Sequence, residues 1–163
     1  MAISAFLKFD GFEGSSTVKG QEGKIEVQSW AHHFSQPTTA VKSSSGGGTV
    51  EMANHGALSF SKMVDESTAY FLQHCWNGKY IATGQMVMFR SNGSGDNVDY
   101  LTIELEDIVV SDYSISVSEG GLPIEQIAVT YGKITYIYKG MDAAGNITGN
   151  YPISHDLRTN EVG

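Results

Sequence analysis

The sequence predicts a mainly β protein: a small antiparallel β-barrel with one α-helix packed against it and a long extended loop. Residues 97–110 alternate apolar and polar side chains with a period of two, as a half-buried strand does. Shorter alternating segments occur along the rest of the chain, separated by turn-forming residues, and there are 19 glycines but only 3 prolines. A single stretch, 68–76, combines helical spacing with the absence of glycine and proline.

Length, composition and charge narrow the classes of protein considered. The 163 residues are long enough to bury a core without disulfides, so we expect one domain spanning 1–163. The net charge of −8 argues against nucleic-acid binding and against insertion into an anionic membrane. The amino terminus has neither a basic leader nor a long apolar run, which predicts no classical signal peptide.

Two strands are predicted before residue 32. Residues 3–9 alternate and end at Asp10-Gly11, and residues 24–31 alternate again after a polar loop. Trp30 falls on the same face as Glu26 in this second strand. Either the strand twists enough to bury the indole, or another chain covers it.

The segment 36–57, called the arm below, loses all periodicity and contains Ser43–Gly48, a run of serines and glycines. Connections of this length in a compact domain are usually functional or disordered. Apolar side chains within it, Val41, Val50 and Met52, would suit packing on a neighbouring copy. A flexible linker is the alternative, and the sequence does not choose between them.

The helix is predicted over 68–76. Asp65 is the expected N-cap, Glu66 favours the positive end of the helix dipole, and Gly78 is a natural terminating residue. The spacing of the apolar residues predicts a stripe that lies across the barrel, formed by Phe71, Leu72, Cys75 and Trp76.

The long strand 97–110 is expected to pair with 85–89 in a hairpin and to turn at Ser111-Asp112 into another strand, 113–118. Its buried face is predicted to carry Leu101, Ile103, Leu105 and Val109. After a break at 120–123, one last strand is predicted with a bulge at Gly132, followed by a C-terminal tail, 140–163.

No catalytic constellation emerges from the motifs. The five histidines, at 32, 33, 55, 74 and 155, lack the paired spacing of a zinc site. Glu104 and Glu106 share a strand face and raise the possibility of a hydrolase, but an exposed polar face is far commoner. We therefore predict no enzymatic activity, no metal and no cofactor.

In order and spacing, several short motifs together resemble the haemolysin-coregulated protein (Hcp) family, the tube subunit of the bacterial type VI secretion system. The resemblance runs almost from end to end. The matching segments are FLKFDG (6–11), GS (14–15), IEVQSW (25–30), LSF (58–60), DES (65–67), C (75), GK (78–79), YL (100–101), VVS (109–111) and DL (156–157).

This resemblance implies a homo-hexameric ring, rings stacked into a hollow tube, and small effectors carried in the lumen. It also implies spike and sheath proteins of the secretion system as partners. The protein would be made in the bacterial cytoplasm and then secreted extracellularly. The alternative functional class is a monomeric ligand-binding or lectin-like β-domain.

Two sets of residues are assigned to these expected contacts. Ala31 and His33, which share a strand face just after Trp30, are predicted to touch cargo in the lumen. Ring-to-ring or subunit contacts are predicted for four residues of the arm: Val41, Val50, Glu51 and Met52.

Overall fold

The computed structural model describes residues 5–37 and 52–163. Within them the chain forms mostly strands and one helix, α1 (Thr68–Asn77). In chain order the strands are β1 Ala5–Phe9, β2 Ile25–Val27, β3 Ser29–Ala31, β4 Phe34–Ser35, β5 Asn54–His55, β6 Leu58–Met63, β7 Ile81–Ser91, β8 Asn97–Ser116, β9 Ile124–Thr130, β10 Lys133–Met141, β11 Ile147–Asp156 and β12 Glu161–Val162.

Every strand pair described is antiparallel, and β8 belongs to two sheets. Its first half lies between β7 and β10, and its second half pairs with β9. The ladders run β1–β2, then β3–β6, β6–β9, β9–β8, β8–β7 and back to β1. Because β2 and β3 are consecutive on the chain, the series returns to its start, which is the connectivity that a small barrel requires. The predicted antiparallel, mainly β class is confirmed.

The long strand differs from its prediction in two ways. It continues to Ser116, so the predicted turn at Ser111-Asp112 is instead an irregularity in the β8–β9 register. In addition, Asp107 has a positive φ of 52°, and the buried face shifts from odd to even positions there. Ile108 is therefore buried, whereas Val109, predicted to be inside, is half-buried.

The C-terminal third also differs from the sequence-based interpretation. The predicted last strand is two strands, because the chain leaves β9 at Gly132 and enters β10 in the other sheet. The segment 140–163, interpreted as a tail, contains the end of β10 followed by β11 and β12. Its polar composition fits one solvent-facing surface of an outer strand, and backbone hydrogen bonds to β10 hold it in place.

The core is centred on four phenylalanines, each at most 1% exposed: Phe9, Phe12, Phe60 and Phe71. The Phe71 ring centroid lies 4.8 Å from that of Phe12, and 5.8 Å from those of Phe9 and Phe60. Aromatic pairs at these separations add to the free energy of burial. Phe71 thus joins the helix to strands of both sheets.

The structure confirms part of the prediction for the helix. Gly78 terminates it in the left-handed conformation, with its N–H bonded to the His74 carbonyl. The N-cap is Ser67, not Asp65, because the Asp65 carboxylate accepts from the Ser67 N–H at 2.8 Å, in the turn before the helix. The predicted apolar stripe is only partly buried: Phe71 is inside, whereas Trp76 is 79% exposed.

An ion pair inside the protein joins β6, β9 and the start of the helix. Lys62 and Glu125 are directly opposite in the β6–β9 ladder, and both are 0% exposed. Lys62 Nζ donates to Glu125 Oε1 at 2.7 Å and lies 3.0 Å from Asp65 Oδ1. Thr68 Oγ1 also donates to Glu125 Oε1, at 2.7 Å. The buried charges are thus paired, and Glu125 Oε1 is hydrogen-bonded, whereas Glu125 Oε2 is buried without a hydrogen-bond partner among the described residues.

The predicted strand over 24–31 is interrupted at Gln28, which separates β2 from β3. This change of direction leaves Trp30 half-buried and packed against the core, as expected if the strand twists. No helix within residues 5–37 and 52–163 is long and apolar enough to cross a membrane.

Candidate functional site

The arm begins and ends on one small ladder, β4–β5, which we call the arm root. Phe34 pairs with His55 and Ser35 with Asn54. The Gly56 N–H also donates to the His33 carbonyl at 2.8 Å. These bonds bring the two ends of the arm together beside the main sheet.

The structure places some of the predicted contact residues near the arm root. Ala31 ends β3 and His33 immediately precedes β4, and both are exposed. Met52, at the far end of the arm, is 46% exposed. Val41, Val50 and Glu51 lie outside the described residues. The assignment of these side chains to cargo or ring contacts remains a prediction.

Behind the arm root, five rings join in one hydrogen-bonded series, called here the His–Tyr chain. Tyr136 Oη contacts His32 Nδ1 at 2.6 Å, and His32 Nε2 contacts Tyr131 Oη at 2.9 Å. Tyr131 Oη then contacts His55 Nδ1 at 2.7 Å, and His55 Nε2 contacts His155 Nδ1 at 2.8 Å. The series ends where His155 Nε2 meets Asn160 Oδ1 at 2.9 Å.

The proton positions along this series follow from its last member. Because Asn160 Oδ1 can only accept, His155 donates from Nε2, and its Nδ1 accepts from His55 Nε2–H. By the same rule, Tyr131 donates to His55 and accepts from His32, and Tyr136 donates to His32. With all three histidines neutral, every contact therefore carries one hydrogen.

Burial favours the neutral forms of His32, His55, Tyr131 and Tyr136. It lowers the pKa of His32 to about 4, against a hydrogen bond with the Gly56 backbone that raises the pKa, and repulsion from His55 contributes to the lowering. Burial, followed by the charge on His155, also lowers the pKa of His55. Burial raises the pKa of Tyr136 to about 12. The sequence analysis missed this cluster, because His32, His55 and His155 are far apart in sequence and meet only after folding.

A group of charges fixes the turn after β11, which carries Asn160. The Arg158 guanidinium contacts carboxylates of Asp107, Glu106 and Asp156, with Nε 2.9 Å from Asp156 Oδ1. The hydrogen bond from Arg158 lowers the pKa of the Asp156 carboxyl to about 2. Asn160 itself has a φ of 55°, a left-handed conformation that asparagine tolerates.

Most of the large apolar side chains that are exposed form three groups. Contiguous exposed apolar surface of this kind often marks a site of interaction. One group lies on the outer strands β10–β12, a second around the β8–β9 connection, and a third at the end of the helix. They are respectively Tyr138, Ile147, Tyr151, Ile153 and Val162; Ile115, Val117, Leu122 and Ile124; and Trp76 and Tyr80.

The outer strand β11 also presents an open edge. In the part of the chain that the structure describes, β12 pairs only with His155 and Asp156, so most of β11 is free on that side. An unpaired edge with apolar side chains is suited to another protein surface. The open edge and the first group of exposed apolar side chains therefore lie on the same outer surface, β10–β12.

The histidines and the paired carboxylates of β8 were the candidates for a metal or catalytic site in the sequence. Among them, no group of three or more histidine, cysteine, aspartate or glutamate side chains could hold a metal ion. Glu104 is exposed, and Glu106 contacts Arg158. These two carboxylates belong to the polar surface of β8.

Comparison with known proteins supplies the family. A family model described as "Type VI secretion system effector, Hcp" matches residues 6–138. The chain belongs to the Hcp family of type VI secretion proteins. Two relatives come from Pseudomonas aeruginosa. The protein called hcp1 is 29% identical over 146 residues, which are 89% of this chain and 88% of the relative. A second, named "Major exported protein", is 22% identical over 148 residues, or 86% and 84% of the two chains.

Solved structures of Hcp proteins share the fold. A structure of Hcp1 from enteroaggregative E. coli covers 96% of this chain and 99% of that one, at 27% identity and a TM-score of 0.78. Hcp1 from Salmonella typhimurium covers 100% of both chains, at 24% identity and a TM-score of 0.81. The match to the Hcp family model ends at residue 138. Strand β11, which contributes His155 to the His–Tyr chain, lies after that residue.

Proposed function

We propose that this Hcp protein is a structural subunit of the type VI secretion inner tube and has no enzymatic role. Copies close into hexameric rings, and the rings stack. Membership of the Hcp family carries the proposal. The open edge of β11 and the exposed apolar faces support it, because a ring needs a head-to-tail interface that closes.

In this proposal, the arm makes contacts between rings or subunits, with Val41, Val50, Glu51 and Met52 as the contact residues. The lumen carries small effectors, which touch Ala31 and His33, both near the arm root. Spike and sheath proteins of the secretion system contact the assembled tube. The protein is made in the bacterial cytoplasm and leaves the cell with the tube.

Native mass spectrometry and sedimentation test the assembly. We expect rings of about six times the 17.6 kDa chain mass. Because each chain carries a net charge of −8, stacked rings repel one another, and salt screens that repulsion. Stacks of rings should therefore lengthen as ionic strength rises from about 0.01 M to about 0.5 M.

Two results would contradict the proposal. A chain that stays monomeric at every concentration and salt level would instead favour a monomeric ligand-binding or lectin-like β-domain. Rings whose stacking is equal at low and high salt would show that charge does not control stacking.

Replacing Ala31 with arginine should reduce cargo loading while leaving the rings intact. The side chain is small and exposed, so a long cation there costs little stability but fills space in the proposed lumen. We expect retention of a co-expressed small effector on purified rings to fall about tenfold or more, the loss that about 1.4 kcal/mol of binding free energy gives.

Ala143→Arg, in the exposed turn after β10, is the matched control, because it adds the same charge at another site. Normal rings with unchanged effector retention in the Ala31→Arg variant would show that Ala31 does not contact cargo.

A further inference from the structure

We propose that the His–Tyr chain is a pH-sensitive latch that holds the arm root on β10 and β11 and opens when the chain takes up protons. This inference goes beyond ring formation and does not depend on it. Its basis is the way in which the arm root is attached to the rest of the fold.

The arm root is a separate two-stranded sheet. Its strands β4 and β5 pair only with each other in the described part of the chain, so no ladder joins them to β10 or β11. Side chains make that attachment instead. His32 and His55 lie on the arm side. Tyr131 lies in the connection between β9 and β10, Tyr136 lies on β10, and His155 lies on β11.

Aromatic packing reinforces the same attachment. The ring centroid of Phe34, on β4, is 4.2 Å from that of His32, 5.0 Å from that of His55 and 5.9 Å from that of Tyr136. Phe34 itself remains 44% exposed, so its burial alone provides little anchoring. The hydrogen bonds of the His–Tyr chain therefore hold the arm root together with this packing, and they are the part of the attachment that depends on protonation.

The His–Tyr chain can take up one proton and keep a hydrogen in each of its contacts. If His155 gains a hydrogen on Nδ1, it donates from that atom to His55 Nε2, and His55 then donates from Nδ1 to Tyr131. In the same way, Tyr131 donates to His32, and His32 donates to Tyr136. The only loss is that the Tyr136 hydroxyl no longer donates to His32. Reversal requires no movement of the rings.

A second proton cannot be absorbed in this way. If it places hydrogens on both facing nitrogens of His55 and His155, two N–H groups oppose each other across 2.8 Å. If it goes to His32, the hydroxyl hydrogen of Tyr131, a residue only 8% exposed, loses its acceptor. The first arrangement also places positive charges on two rings in direct contact. In either case, separation of the arm root relieves the conflict.

The sign of the pH dependence follows from the histidines. The pKa of His32 is about 4 in the fold, below its ordinary value of 6.5, so the folded latch favours the neutral ring. The contribution of this group is complete above about pH 6.5 and declines as the pH falls from there towards 4. The lowered pKa of His55 acts in the same direction.

Charged groups on the elements around the latch do not reverse this sign. Those nearest in the ladders and the following turn are Glu106 and Asp107 of β8, Lys133 of β10, Asp156 of β11, Arg158 of the turn, Glu161 of β12 and, on the arm side, His33. Arg158 already contacts three of the carboxylates, so they are not available to stabilise histidine cations.

Hydrogen exchange of the complete chain tests the proposal. The Gly56 amide bonds to the His33 carbonyl within the arm root, and a two-stranded ladder this short is not stable once it is detached from the rest of the fold. We therefore expect this amide to lose about tenfold or more of its protection between about pH 7.5 and about pH 4.5, after correction for intrinsic exchange. Amides of the β7–β8 ladder in the same samples should keep their protection, which distinguishes latch opening from global unfolding.

Three variants test whether the His–Tyr chain causes this loss of protection. Tyr131→Phe removes the central hydroxyl, so the Gly56 amide should already exchange quickly at the higher pH. His155→Asn retains an acceptor near the Nδ1 position but cannot take up a proton, so the pH response should shrink. Tyr138→Phe is the matched control, because Tyr138 lies on β10 with Tyr136 but makes no bond of the His–Tyr chain, and it stacks on Tyr151.

Constant protection of the Gly56 amide across this pH range would overturn the proposal. So would a pH profile of Tyr131→Phe that coincides with the unmodified protein, or a parallel loss of protection in β7–β8. A Tyr131→Phe chain that fails to fold still leaves His155→Asn and the unmodified protein to decide the question.

Discussion

Replacing Lys62 with methionine is expected to lower the free energy of unfolding by about 3–5 kcal/mol, since it leaves a buried carboxylate without its cation. Glu125 is 0% exposed and its Oε1 would keep only the Thr68 hydroxyl as a donor among the bonds described above. Urea denaturation of both proteins, with the midpoint and the slope fitted separately, measures the change.

A double-mutant cycle separates this cause from lost packing. Glu125→Leu removes the charge that Lys62 neutralises and has a similar volume, so the double variant should be much more stable than the sum of the single changes predicts. We expect a coupling of about 2–3 kcal/mol. Lys79→Met, which removes an exposed lysine, is the control and should change stability by less than about 0.5 kcal/mol.

Additive single changes would contradict this account, because they would mean that Lys62 and Glu125 do not stabilise each other. A cost below about 1 kcal/mol for Lys62→Met would do so as well, since that is the range of an exposed ion pair.

The Lys62–Glu125 pair shows how much can be predicted from the alternation of side chains along a strand. In β6, Leu58 and Phe60 are buried, and the next position of the same face is Lys62; in β9, Glu125 shares a face with Ile127. A charged residue in phase with a buried face is therefore a sequence signal for an internal ion pair. Choosing its partner also required the β6–β9 register, which alternation along one strand does not specify.

Strand positions were predictable, but changes of sheet were not. The period of two correctly indicated strands on both sides of residues 107 and 132. At Asp107 a single positive φ shifts which side chains are buried, and at Gly132 the chain leaves one sheet for the other. Both events depend on long-range pairing with β9 and β10. Gly132 indicated an irregularity, although not the change of sheet, whereas an aspartate in a polar strand gives no local indication of the shift at residue 107.

The candidate site was predictable only as a region. Loss of periodicity after residue 36 predicted the arm and the family resemblance suggested a role for it, but residues 38–51 lie outside the described part of the chain, so that prediction stands untested. The His–Tyr chain could not be found in this way, because spacing rules detect histidines on one element. Here His55 is on the arm root and His155 is on β11, which the sequence analysis treated as a tail.

The second large effect is expected from Phe71→Ala, at about 3–5 kcal/mol of unfolding free energy. This ring is 0% exposed and contacts three other phenylalanine rings, so its removal leaves a cavity where the helix meets both sheets. Lys62 Nζ also lies 5.7 Å from the Phe71 ring centroid, so a cation–π contact is lost too.

Trp76→Ala is the matched control on the same helix, because it removes a larger aromatic side chain that is 79% exposed. It should change stability by less than about 0.5 kcal/mol when folding is measured on the dissociated chain. Phe71→Leu, which refills most of the cavity, should recover more than half of the loss. If Trp76→Ala cost as much as Phe71→Ala, the helix would have to be held through its outer face, and the aromatic core described here would not be what anchors it.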